Sequence, residues 1–236
     1  MGYVVDWNCH LLPGMGEGVT LSEAVSAISH LNDKYEMNHF CMMPDYDCTK
    51  EPISVFLLNR YFANQELRKN ISKTIKIKLA GRALLTPDLH KTDGLESLLF
   101  SSYGYFPIRL PISSYDDWID YEINRLLYKR HFKLLITSFE LCLILYPPEI
   151  IKKLLRIPNA AFQLSYKSLT EKGAQKAVSM MLHNNSKILL GTGINSLDKA
   201  YQYDLLYYDE LAKNKMATAD YQTLLRQNHL FWKKYD

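Results

Sequence analysis

Short apolar runs alternate with stretches of helical periodicity along the whole chain, and this alternation restricts the fold more than any other feature of the sequence. Seven runs read as strands: Tyr3 to Asp6, His39 to Met43 (ended by Pro44), Thr74 to Ala80 (closed by Gly81), Tyr105 to Leu110, Lys133 to Thr137, Ala160 to Ser165 and Lys187 to Leu190. Nearly all precede a helix. Thr20-Leu21-Ser22-Glu23 has the form of a capping box, and behind it Leu21, Val25, Ile28 and Leu31 fall on one helical face. Further helices fit Ile53 to Lys69, a segment capped by Ser114 and running to about His131, and a segment opened by Pro147-Pro148. Others fit Thr170 to Leu182, Leu197 to Lys213 and Thr218 to Trp232. Repeated βα units argue for a parallel sheet, closed as a seven-stranded barrel or open and doubly wound. In either case ligands bind beyond the carboxyl ends of the strands, so the residues just after each strand are the candidates.

A length of 236 residues with 47% hydrophobic residues suits one domain, 1–236. The net charge of +3 is too small to imply a nucleic-acid binder. Lys69, Lys73, Lys76 and Lys78 form a basic patch, but the alternation of the strand puts Lys76 and Lys78 on one solvated side. Cys9, Cys41, Cys48 and Cys142 have neither the density nor the spacing of a disulfide framework or zinc site. No signal peptide is visible before Tyr3-Val4-Val5, and the longest apolar stretches are too short to span a bilayer. A cytoplasmic protein with no membrane insertion is the expectation.

The first strand leads into Asp6-Trp7-Asn8-Cys9-His10-Leu11-Leu12-Pro13-Gly14-Met15-Gly16-Glu17-Gly18. This stretch resembles the opening motif of the PHP superfamily of metal-dependent phosphoesterases. It looks most like the bacterial tyrosine-protein phosphatases of capsule and exopolysaccharide synthesis, whose motif reads Asp-x-His-x-His-x-Leu-Pro-Gly-x-Asp-Asp-Gly. Leu12, Pro13, Gly14 and Gly18 are kept. Met42-Met43-Pro44-Asp45 sits where that family has Ala-Thr-Pro-His, and Tyr105 to Pro111 matches its Ile-Glu-Phe strand. Thr137-Ser138-Phe139-Glu140-Leu141 matches Ala-His-Pro-Glu-Arg, and Gly191-Thr192-Gly193-Ile194-Asn195 matches Ser-Asp-x-His. The resemblance implies a distorted (β/α)7 TIM-like barrel, a cluster of divalent metals at its mouth, and phosphatase chemistry. It also implies a partner such as a tyrosine-rich kinase tail or another polysaccharide-synthesis protein.

The metal-binding positions implied by the resemblance are mostly replaced. The first histidine is Asn8 and only His10 remains; the acidic pair is Gly16 and Glu17; the histidine after strand two is Asp45. The bridging glutamate falls at Ala83, with Arg82 beside it, and the fifth-strand histidine and arginine are Ser138 and Leu141. The closing aspartate and histidine are Gly193 and Asn195. Two dications about 4 Å apart repel by roughly 17 kcal/mol at an effective dielectric near 20, so a cluster survives only among carboxylates. The inherited cluster is not expected to form, and no cofactor is expected. The alternative is a single-metal site from His10, Glu17 and Asp45, with Asn8, against which stands an old cavity where Asn8, His10 and Asp45 hydrogen-bond one another.

Other features carry paired readings. Gly191-Thr192-Gly193 is a phosphate-cradling turn or a plain tight turn. Arg82 and Arg109 bind an anion without metal or pair with acids such as Glu140, the one charged residue kept in its motif. Cys9 beside His10 suggests an activated thiol, but neighbours on a strand face opposite ways. Tyr201, Tyr203, Tyr207 and Tyr208 on one late helix pack against the core or form a partner surface. The favoured expectation is a degenerate, catalytically inactive phosphatase-like protein that binds or regulates. The alternatives are a metal-dependent tyrosine phosphatase with a rearranged or single-metal site, and a structural interaction protein whose cavity is filled by Trp7, Arg82 or Phe139.

Overall fold

A computed structural model describes residues 4–16, 19–99 and 104–234. Among the described residues nine strands form two parallel sheets. The smaller contains β1 (Val4–Cys9), β2 (Met37–Met42) and β4 (Lys76–Leu79) in the order β1-β2-β4. The larger has the order β3-β5-β6-β7-β8-β9, with β3 at Asp45–Tyr46, β5 at Arg82–Leu84 and β6 at Tyr105–Arg109. Its remaining strands are β7 (Lys133–Ile136), β8 (Ala161–Ser165) and β9 (Lys187–Gly191). The excess over seven comes from two interruptions. Pro44 has no N–H to give to a ladder, and the break at Met43-Pro44 separates β2 from β3. A matching break at Ala80-Gly81 separates β4 from β5. Backbone bonds cross both: Ala80 N donates to Met42 O at 3.0 Å and Arg82 N to Pro44 O at 2.9 Å.

The helices are α1 (Leu21–Tyr35), α2 (Ile53–Asn70), α3 (Asp117–Asn124), α4 (Phe139–Leu145), α5 (Pro148–Leu155), α6 (Lys172–His183), α7 (Leu197–Gln202), α8 (Leu205–Lys215) and α9 (Thr218–Lys234). The capping box at α1 forms: Thr20 Oγ1 accepts from Glu23 N at 3.3 Å, and Glu23 Oε2 accepts from Thr20 N at 2.8 Å. Ser114 does not cap α3, which begins after Asp116 and runs into a π-helical turn at Arg125–Lys129. The single late helix expected from Leu197 to Lys213 is two, α7 and α8, with Asp204 capping the second through Tyr207 N at 3.1 Å. The four tyrosines are divided accordingly: Tyr201 and Tyr207 are exposed, whereas Tyr203 is buried.

Two apolar clusters follow from the alternation of the strands. The larger lies between sheets and helices and includes Cys9, Phe40, Ile108, Leu134, Phe162 and Ile188. The smaller collects the opposite strand faces: Val5, Trp7, Cys41, Tyr105, Leu135, Ala161 and Leu189, joined by Phe231 and Trp232 of α9. Lys78 is drawn into this second region rather than solvated, its ammonium 4.7 Å from the Trp232 ring centroid.

Among the described residues no ladder joins β1 to β9. Side chains of α9 satisfy the exposed edge of β9 instead. Asn228 Oδ1 accepts from Leu190 N at 2.6 Å and Gln227 Oε1 accepts from Ile188 N at 3.2 Å. On the β1 side, Tyr166 Oη donates to Val5 O at 2.9 Å. Trp7 meets Phe231 and Trp232 at centroid distances of 5.3 and 5.4 Å, so α9 packs against both edges of the seam. Backbone bonds resume at its upper end, where Gly193 N donates to Asn8 O at 2.8 Å and His10 N to Ile194 O at 2.9 Å. Among the described residues, no helix is long and apolar enough to cross a membrane.

Candidate functional site

The carboxyl ends of the strands surround a cavity of about 330 Å³. The segment after β1 supplies Asn8, His10, Leu12, Met15 and Gly16, and the broken strands supply Pro44, Asp45 and Arg82. Arg109, Ser138, Glu140, Ser165, Thr192, Gly193 and Asn195 complete the wall from the later strands. The sequence reading thus selected residues that do converge: Asn8, His10, Asp45, Arg82, Ser138, Glu140, Gly193 and Asn195 all line it. Glu17 lies outside the described residues.

Parallel pairing sets the electrostatic centre. Asp45 of β3 is the register partner of Arg82 of β5, and Leu84 two residues on pairs with Arg109 of β6. The Asp45 carboxylate therefore sits between two guanidiniums: Arg82 Nε donates to Oδ1 at 2.5 Å, and Arg109 Nη1 lies 3.3 Å from Oδ2. Arg82 is only 5% exposed. Its Nη1 reaches Asn8 Oδ1 and Ser138 Oγ, both at 3.4 Å. Asn8 Oδ1 lies 2.9 Å from His10 Nε2, and because this oxygen already faces the Arg82 donor, the imidazole proton belongs on Nε2. Burial, reinforced by the Arg82 charge, pushes the His10 pKa down to about 3. Burial alone would raise Asp45, but the Arg82 hydrogen bond and charge outweigh it and hold the carboxyl below its usual range. Glu140 moves the other way, raised by burial despite accepting from Ser165 N at 3.3 Å.

A second layer fixes these groups. Asp6, fully buried, accepts from Thr192 N at 2.9 Å, Thr192 Oγ1 at 2.6 Å and Asn8 N at 2.9 Å. It ties the end of β1 to the end of β9. Gly191 permits that approach, since a Cβ there would stand 2.6 Å from the Asn8 backbone nitrogen. Gln163 Oε1 accepts from Ser138 N at 2.9 Å, holding Ser138 in the left-handed region at φ 51°. The tie made by Asp6, first residue of the opening motif, and the one made by Gln163 were not anticipated; each is a buried polar residue on a largely apolar strand, and that was the available signal.

Several expectations need correction. The residue of β5 that faces the cavity is Arg82, and Ala83 points into the larger apolar cluster, because adjacent strand positions face opposite sides. The inward position thus carries a cation. Arg82 and Arg109 pair with Asp45 rather than Glu140, and Asp45 is therefore not part of a closed set with Asn8 and His10. The Gly191-Thr192-Gly193 turn spends its N–H groups internally: Thr192 N on Asp6, Gly193 N on Asn8 O, and the following Ile194 N on Thr192 Oγ1. Of the two readings it is the plain tight turn, the one favoured from the sequence, and not a phosphate cradle. Cys9, as strand alternation predicts, faces the larger cluster, away from His10, with its thiol pushed up by burial. Trp7 belongs to the smaller cluster and Phe139 packs on Phe162 at 4.7 Å, so neither fills the cavity.

The donor set does not suit the metal cluster that the resemblance implies. Both Asp45 oxygens face guanidiniums, His10 Nε2 is turned to Asn8, and Glu140 Oε2 accepts a backbone N–H. Among the described residues no three of His, Cys, Asp and Glu are grouped to hold an ion. Two guanidiniums beside the remaining carboxylate add like charge wherever adjacent dications would sit. The described residues do not fit such a cluster.

A solved structure from work on YwqE of Bacillus subtilis and CpsB of Streptococcus pneumoniae, unique metal-dependent tyrosine phosphatases, aligns over 95% of both chains with a TM-score of 0.62 and 16% identity. It shows that the two chains share a fold. A cog1816 amidohydrolase from Burkhoderia ambifaria with bound zinc aligns over 86% of this chain and 66% of its own, with a TM-score of 0.45 and 10% identity. No family model and no curated protein matches the chain.

Proposed function

We propose that this chain is a degenerate relative of the metal-dependent tyrosine phosphatases with which it shares a fold, kept as a binding or regulatory protein without metal catalysis. One observation carries the reading: the Asp45 carboxylate is held between Arg82 and Arg109 at the cavity mouth. A guanidinium is permanently protonated and cannot ligate a cation, so this arrangement substitutes fixed positive charge for metal charge. The full-length alignment supports descent from one fold. In this reading the interrupted strands β2/β3 and β4/β5 each count once, giving a single-domain (β/α)7 barrel whose last seam is occupied by α9. The motif resemblance, carried over as part of this proposal, implies a cytoplasmic role in capsule or exopolysaccharide synthesis, with a tyrosine-rich kinase tail or another protein of that machinery as partner.

The test is metal content of the purified full chain together with turnover of a phosphotyrosine peptide. Substoichiometric metal and no turnover are expected. Stoichiometric, tightly held zinc, iron or manganese, with turnover that collapses in His10→Ala, would overturn the proposal in favour of an active phosphatase built on His10, Glu17 and Asp45.

A further inference from the structure

Resting on that reading, we propose that the cavity binds a small monoanionic hydroxy-carboxylate, with its carboxylate on Arg109 and its hydroxyls on Ser138 and Glu140. Charge balance selects the monoanion. The cavity wall holds two guanidiniums, Arg82 and Arg109, against the Asp45 carboxylate, and Glu140 subtracts further whenever it is ionised. His10 is neutral. The wall therefore carries at most one net positive charge. Lys199, exposed outside it, adds only a weaker positive field that reaches His10. At most one negative charge is balanced there; a dianion such as a phosphate monoester leaves at least a second charge without a partner in a partly desolvated site.

The two arginines are not equivalent. Arg82 is buried and committed to Asp45 at 2.5 Å. Arg109 meets Asp45 at 3.3 Å, longer than the about 2.7–2.9 Å of a strong charge-assisted bond, and its side chain is 30% exposed. Its planar fork can take a carboxylate in two parallel bonds without uncovering Asp45, which keeps Arg82. Beside it, Ser138 Oγ receives only a 3.4 Å contact from Arg82 and can donate its own proton, while Glu140 is an acceptor for a ligand hydroxyl. A volume of about 330 Å³ is near the lower end of small-molecule sites and has room for one sugar-sized acid.

Isothermal titration of the full chain at low salt and neutral pH, with glucuronate, glucose and inorganic phosphate as probes, tests this. Saturable glucuronate binding is expected, with no heat from glucose and weaker binding of phosphate. Arg109→Gln, shown folded by circular dichroism, should lose about tenfold or more in glucuronate affinity, and Arg109→Lys, which keeps the charge but not the fork, an intermediate amount. Absence of saturable glucuronate binding, glucose binding as tightly, tighter phosphate binding, or an unchanged Arg109→Gln would each overturn the inference. These readouts are independent of metal content and turnover, so failure here leaves the non-catalytic reading standing, and the reverse holds too.

Discussion

Replacing Asn228 with alanine perturbs the seam between β1 and β9 at its most committed point. The Asn228 amide is 4% exposed; its oxygen accepts from Leu190 N at 2.6 Å and its nitrogen donates to Leu224 O at 2.9 Å and Ile188 O at 3.4 Å. Alanine leaves the buried Leu190 N–H without that acceptor, a loss of about 1–3 kcal/mol, and opens a void of a few heavy atoms worth about another 1 kcal/mol. A total near 3 kcal/mol corresponds to a melting-temperature drop of roughly 6–12 °C for a chain of this size. Gln227→Ala is the internal control. Its 3.2 Å bond to Ile188 N is half-buried and water can replace it, so it should cost less than about 1 kcal/mol. Urea unfolding followed by far-ultraviolet circular dichroism measures both. An Asn228→Ala variant within about 0.5 kcal/mol of the parent, or a costlier Gln227→Ala, would refute the view that α9 stands in for a missing ladder.

Asp45→Ala leaves Arg82 charged and buried, and urea unfolding should register a loss of about 3 kcal/mol, the low end for a broken buried pair because the Asp45 side chain is 29% exposed. Arg109→Ala should cost less than about 1 kcal/mol, since Asp45 keeps Arg82 and the 109 side chain is 30% exposed. Glu122→Ala strips the acceptor from the N–H groups of Asp88 and His90 and from His90 Nδ1, and should destabilise by at least about 3 kcal/mol, with Glu122→Gln milder. The folded-state pKa of His10, lowered from 6.5 to about 3, means that the unfolded chain takes up the proton first, so its contribution is lost as pH falls from about 6.5 towards 3. Asp45, depressed below 3.8, adds a loss at still lower pH, while Glu140, raised above 4.5, contributes below its ordinary value and loses that contribution as pH rises through its raised one. Urea melts across this range should show His10→Asn flattening the slope between about pH 4 and 6; an unchanged slope would reject the assignment.

Most of this fold was legible because hydrophobic periodicity marks element type well. The strands from Tyr105 to Lys187, the capping box at Thr20 and the Pro147-Pro148 helix start all appear within a few residues of where local chemistry puts them. Breaks were harder to read. Gly81 marks the end of β4, but nothing local announces that the chain resumes at Arg82 as a strand of the other sheet, and the division of α7 from α8 depends on the Asp204 side chain competing for the backbone. The cavity residues could be listed because strand ends converge in parallel α/β folds, but their pairing could not. Whether Arg82 or Ala83 faces the mouth turns on a one-residue register. The buried His90–Glu122 pair did leave a trace: Glu122 sits three residues after Ile119 and four before Leu126, a carboxylate on the apolar face of its helix.

A guanidinium–carboxylate–guanidinium arrangement stands where adjacent cations would otherwise have to lie. Anomalous diffraction from crystals of the full chain grown with manganese or zinc addresses that directly. Arg82 and Arg109 bracketing Asp45, with no anomalous peak in the cavity, is the predicted result. A peak coordinated by His10 and Asp45, with either arginine swung away, would contradict it.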